Sequence, residues 1–121
     1  IVLIDAPPGT SCSVMEIVRE VDLVVLVTEP TPFGLHDLVL AVEMTRALGK
    51  PLTAVINRSD LGRDDTRRYV EAQQIEVAAE IPFRPEVAEA YANGRIAAAV
   101  SPELHSLLWP LGQRLIAEAS S

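Results

Sequence analysis

Apolar positions follow two alternating patterns along the chain. Short, nearly unbroken apolar runs occur at Ile1–Ile4, Asp22–Thr28, Leu52–Asn57 and Val77–Ile81. Runs of this length, rich in Val and Ile, suit strands covered on both faces of a parallel sheet. Between them the apolar residues recur at helical spacing. Leu35, Leu38, Val39, Val42 and Ala47 predict a helix over Leu35–Leu48, stopped by Gly49 and Pro51. Further helices are predicted over Val14–Glu20, Asp64–Gln74 and Pro85–Asn93, the last opening on proline and closing at Gly94. The final helix is predicted over Pro102–Glu118, with Leu104, Leu107, Leu108, Leu111, Leu115 and Ile116 on one side. Pro110 lies within it and is expected to kink or divide it.

Strands that alternate with helices predict βα units, hence an α/β fold with about four parallel strands flanked by helices. Right-handed crossovers bring all strand C-termini to one rim, where ligands of such sheets bind. Asp5, Thr28–Glu29, Asn57 and Pro82–Phe83 all fall there. No repeat, linker or low-complexity stretch divides residues 1–121, so one domain is expected. The chain opens directly on an apolar strand pattern, as an interior segment of a longer protein would.

Composition narrows the class of function. With 49% hydrophobic residues a core can form, and with only 4% aromatic residues that core must be aliphatic. A formal net charge of −7 disfavours a nucleic-acid partner and an anionic membrane surface, both of which call for clustered Lys and Arg. No apolar run approaches the ~20 residues of a membrane span. The single cysteine, Cys12, makes no internal disulfide and fits a reducing, cytoplasmic setting.

The segment Asp5-Ala6-Pro7-Pro8-Gly9-Thr10 after an apolar strand resembles the Walker B and switch II segment of MinD-type P-loop ATPases. Val27-Thr28-Glu29-Pro30-Thr31 with Gly34-Leu35-His36-Asp37-Leu38 resembles the next segment of that family. Val55-Ile56-Asn57-Arg58-Ser59-Asp60 resembles its base-recognition strand, and Ile81-Pro82-Phe83 with Pro85, Val87, Glu89-Ala90 and Gly94 its closing βα unit. The match runs in order from Ile1 to about Gly94. Pro7-Pro8-Gly9-Thr10-Ser11-Cys12 is most similar to MinD-like ATPases that carry an inserted ferredoxin domain. The Gly-rich phosphate loop and its lysines do not occur in these residues.

This resemblance implies a partial Rossmann-like P-loop NTPase fold, ATP with Mg²⁺ as ligands, and a homodimer when the protein is complete. It implies that Asp5 holds a water on Mg²⁺, an ion that prefers octahedral oxygen ligands and keeps several waters. Gly9, free of a side chain, would bring a backbone N–H to the γ-phosphate, with Pro8 beside it. The Asn57 amide offers a donor and an acceptor to the edge of adenine, with Arg58, Pro82 and Phe83 around the base and ribose. Cys12 follows the switch aspartate, as cluster-binding cysteines do elsewhere in the superfamily, which makes it a candidate iron–sulfur ligand. The expected function is half of an ATP-dependent switch tied to iron–sulfur or electron-transfer chemistry, inactive without the phosphate loop. A partition or positioning ATPase of the ParA and MinD kind is the alternative. So is a GTP-binding relative, because Asn57-Arg58-Ser59-Asp60 also resembles the Asn-Lys-x-Asp signature whose carboxylate accepts guanine N–H groups. Glu29 lies at the rim as a solvated carboxylate, and His36 and His105 read as surface or packing residues. Arg63, Arg67 and Arg68 alternate with Asp64, Asp65 and Glu71, as on a solvated helix with ion pairs.

Overall fold

The computed structural model describes residues 1–120. Its elements run α1 (Cys12–Glu20), β1 (Val24–Thr28), α2 (Pro32–Ala47), β2 (Leu52–Asn57), α3 (Asp65–Ala72), β3 (Val77–Ile81), α4 (Pro85–Ala92), α5 (Ala97–Val100) and α6 (Pro102–Ala119). The strands form one parallel sheet in the order β1-β2-β3. Val24 to Thr28 pair in register with Leu52 to Ile56. Ala54 pairs with Val77, and the register then shifts so that Val55 meets Ala79 and Asn57 meets Ile81. Ala78 is the extra residue of this bulge.

β2 is the central strand, and Thr53, Ala54, Val55 and Ile56 are all buried. Leu38 and Val42 of α2 and Val70 of α3 meet Ala54 and Ile75 in the main apolar cluster, with Leu26, Leu52, Tyr69 and Val77 around it. The paired residues Leu26 and Ala54 share one sheet face by the two-residue period of a strand, so α2 and α3 cover that face. Thr53 satisfies its buried hydroxyl by donating to the Glu76 carbonyl at 3.0 Å. α6 packs along β3.

The sheet has three strands among the described residues, where four were expected. Ile1–Asp5 forms no strand and does not pair with β1. Ile1, Val2 and Leu3 are 80%, 84% and 88% exposed, and Val27 on β1 is 67% exposed. Apolar content records that a segment gains by burial; it does not say which edge receives it. The other three strands are adjacent and parallel, as expected, and lie in their order along the chain. α6 is one continuous helix through Pro110, so the proline does not divide it. Pro110 is exposed, and its ring need not displace a packed neighbour. The four-residue α5 carries no amphipathic period long enough to read from sequence.

Candidate functional site

The C-terminal ends of β2 and β3 lie side by side, and the loops that leave them are stitched together. Asn57 ends β2 next to Ile81 of β3. The Ser59 amide donates to the Ile81 carbonyl at 3.0 Å. Arg58 adopts a left-handed backbone, φ 49°, which a non-glycine residue takes only when its surroundings hold it there. Two contacts do so. The Arg58 carbonyl accepts from the Leu61 amide at 3.0 Å, closing the turn. Its guanidinium carbon lies 4.9 Å from the centre of the Phe83 ring, a cation–π contact.

Asp60 joins the same two loops. Its Oδ1 accepts from the Phe83 amide at 2.8 Å, and its Oδ2 faces Arg84 Nη1 at 3.9 Å. The Phe83 N–H bond is the main reason the Asp60 carboxyl sits below the ordinary carboxylate range, with Arg84 and Arg58 adding to it. Arg84 continues to α6 through a two-pronged pair with Glu103, at 2.8 and 3.0 Å. Arg67 of α3 donates to the Ser59 carbonyl at 3.0 Å and to Glu80 at 2.7 Å. Its guanidinium is stabilised in the charged form chiefly by Glu80.

Thus Asn57, Arg58 and Phe83 of the expected base site lie on neighbouring strand ends and loops, with Asp60 bound to the Phe83 amide and facing Arg84. Asn57 Oδ1 accepts from the Arg58 amide at 3.0 Å, so one of its lone pairs is used locally. The other lone pair and the NH₂ group remain for a ligand. Phe83 is 39% exposed and presents part of its ring to solvent. Pro82 is half-buried and lines a small gap with Val87, Leu104 and Leu107, on the side toward α6.

Asp5, Pro8, Gly9 and Cys12 stand apart. All four are exposed, and none makes a hydrogen bond or ion pair with the β2–β3 loops among the described residues. Gly9 has φ 99°, a conformation that suits glycine and places nothing within 4 Å of the position a β-carbon would take. Cys12 is a free thiol at the start of α1. No three His, Cys, Asp or Glu side chains converge on one point among the described residues. Asp5 alone does not form a Mg²⁺ site, and one thiolate does not hold a cluster that takes four. The residues present therefore do not assemble either group's site by themselves.

A second feature of the rim lies between the N-terminal ends of α2 and α3. A cleft of about 190 Å³ is lined by Pro30, Thr31, Pro32, Leu35, Arg63, Asp65 and Thr66. None of the expected ligand residues lines it. Thr31 caps α2 by accepting from the Gly34 amide at 3.0 Å, and buried Thr28 donates to the Gly34 carbonyl at 3.1 Å.

Sequence reasoning missed three things here. Asp60 binds the Phe83 backbone, Arg67 bridges α3 to the rim, and Gly34 is packed from two sides. Arg67 and Glu80 are 13 residues apart, and no local spacing rule reaches that far. His105, expected as a surface or packing residue, is exposed and stacks on the exposed Trp109 with ring centres 5.7 Å apart.

No family model matches the chain. It is 32% identical over 92 residues to an uncharacterized protein of Methanocaldococcus jannaschii. The alignment covers 76% of this chain and 31% of the relative, so the chain spans about a third of the length of the curated protein it matches. Among the described residues no helix is long and apolar enough to cross a membrane.

Proposed function

We propose that this chain is the base-binding and switch half of a MinD-type ATPase whose phosphate loop lies outside these 121 residues. The observation that carries the reading is the meeting of Asn57, Arg58 and Phe83 at the C-terminal rim of a parallel sheet. Ligands of open α/β sheets bind outside that rim. A planar amide beside an aromatic ring and a guanidinium offers edge recognition and stacking to a purine. Asn57 would orient the base through its NH₂ and its remaining lone pair. Arg58, stacked on Phe83, would cover one face of the base with the outer side of its guanidinium. In the segment before α1, Gly9 would present its backbone N–H to the terminal phosphate, and Asp5 and Cys12 would act only together with groups from the rest of the protein. ATP, with Mg²⁺ in the complete homodimer, is the proposed ligand, and Cys12 is one proposed thiolate for an iron–sulfur cluster shared there.

Two calorimetric titrations with Mg-ATP test the reading. The 121-residue chain alone is expected to show no binding in the micromolar range, because P-loop proteins draw most phosphate contacts from the loop. In the complete protein, Asn57→Ala is expected to weaken ATP binding by about 1–3 kcal/mol, the cost of removing one partner of a buried polar pair. An unchanged affinity in that variant would remove Asn57 from the base site.

A further inference from the structure

We propose that Asp60 is a positioning residue that latches the β3 loop to the β2 loop, and that it does not read a guanine base. The second half of this inference rests on the nucleotide reading above; the first half does not. The Asn-Arg-Ser-Asp run, residues 57–60, suggests a carboxylate aimed at a purine. Reading guanine takes both carboxylate oxygens, side by side, for the base's two N–H groups. In this fold the two oxygens are turned elsewhere: Oδ1 accepts from the Phe83 amide at 2.8 Å and Oδ2 faces Arg84.

The latch has a clear physical purpose. Phe83 is two residues past the end of β3, where its N–H has no ladder partner. The Asp60 carboxylate supplies one, and a charged acceptor makes a stronger bond than a neutral one. The bond fixes Phe83 directly beneath Arg58, two residues before Asp60 on the same turn. With the Ser59–Ile81 bond and the Arg58 contact, this carboxylate fixes the spacing between the ring and Asn57 at the end of the neighbouring strand. Arg84 extends the tie to Glu103 of α6, so the rim is anchored on three elements.

The position can be tested without any ligand. Amide hydrogen exchange at Phe83, followed by NMR in the full chain, is expected to be about tenfold faster in Asp60→Ala, the scale of one lost hydrogen bond. Asp60→Asn keeps an Oδ1 acceptor and is expected to restore most of the protection, which also separates the latch from a general loss of folding. Equal exchange in wild type, Asp60→Ala and Asp60→Asn would overturn the proposal. In the complete protein, competition between ATP and GTP supplies the second readout. Asp60→Ala is expected to weaken both nucleotides by the same factor, with their ratio unchanged, and Asp60→Asn to recover both. A loss confined to GTP makes Asp60 a guanine reader and overturns the proposal. If the wild-type complete protein binds neither nucleotide, the proposed function fails, and the Phe83 exchange alone decides the latch.

Discussion

Gly34 sits in the first turn of α2, and a β-carbon there would lie 2.2 Å from the Glu29 carbonyl oxygen and 3.0 Å from Thr31 Oγ1. Backbone cannot yield as a flexible side chain does. Its own N–H and C=O are both engaged, by Thr31 and by buried Thr28. Alanine normally favours a helix over glycine by up to about 1 kcal/mol. Here the clash should dominate, because overpacking costs about 1–3 kcal/mol and the strand-to-helix turn has no slack. Gly34→Ala is therefore expected to lower the urea midpoint, with an unchanged dependence on denaturant. A midpoint equal to or above wild type would show that the turn relaxes. Gly9 is the opposite case: its conformation needs glycine, but the space around it is open. Two glycines of similar appearance in the sequence thus have unlike reasons for being there. Only the first reason depends on how the loop before α2 folds back over the helix's first turn, which the residue pattern alone does not display.

Among the elements, the helices were legible because caps and breakers sit next to the residues they affect. Pro85 and Pro102 each open a helix where expected, whereas Pro32 opens α2 three residues ahead of the expected start at Leu35, and Gly49 and Gly94 follow helix ends with positive φ. Ser101 and Thr31 accept from the amides three residues on, as good N-caps do. The exception is Pro110, nine residues into α6 with helix on both sides. A proline there removes one helical hydrogen bond and crowds the preceding turn, which costs about 3 kcal/mol relative to alanine in a helix interior. Its stiffness returns about 0.4–1 kcal/mol by restricting the unfolded chain. The difference predicts that Pro110→Ala stabilises the protein by about 2 kcal/mol, seen as a higher thermal midpoint and slower exchange of the amides after residue 110. Because Pro110 is exposed, little packing is lost to obscure the result. A lower midpoint would mean that the proline serves a local geometry that α6 needs against β3. The same contrast explains what was hidden in the candidate site. Asn57 and Phe83 were visible as strand-end residues, whereas Asp60–Phe83 and Arg67–Glu80 depend on the folded chain bringing distant segments together.

At the scale of the whole molecule, the question is which apolar residues hold it together. Four apolar runs look equivalent in sequence, but the sheet uses only three. Ile56 is fully buried on the central strand, while Leu3 is 88% exposed on a segment with no strand partner. The hydrophobic effect rewards area removed from water, so identical composition at these two places has very different worth. Ile56→Ala should cost about 2–5 kcal/mol, the lost transfer energy together with the cavity it leaves. Leu3→Ala should fall within about 0.5 kcal/mol of wild type, like other surface substitutions. Chemical denaturation of the two variants side by side gives the comparison, and amide exchange gives an independent ranking. The amides of Ala54 to Ile56 belong to a strand paired on both sides and should be the slowest, while those of Val2 to Ile4 should exchange almost as in an unfolded chain. A Leu3→Ala cost approaching that of Ile56→Ala would show that the first apolar run is packed in solution, either along the free edge of β1 or against a second molecule. Concentration dependence separates the two, because only packing against a second molecule makes the stability rise with protein concentration.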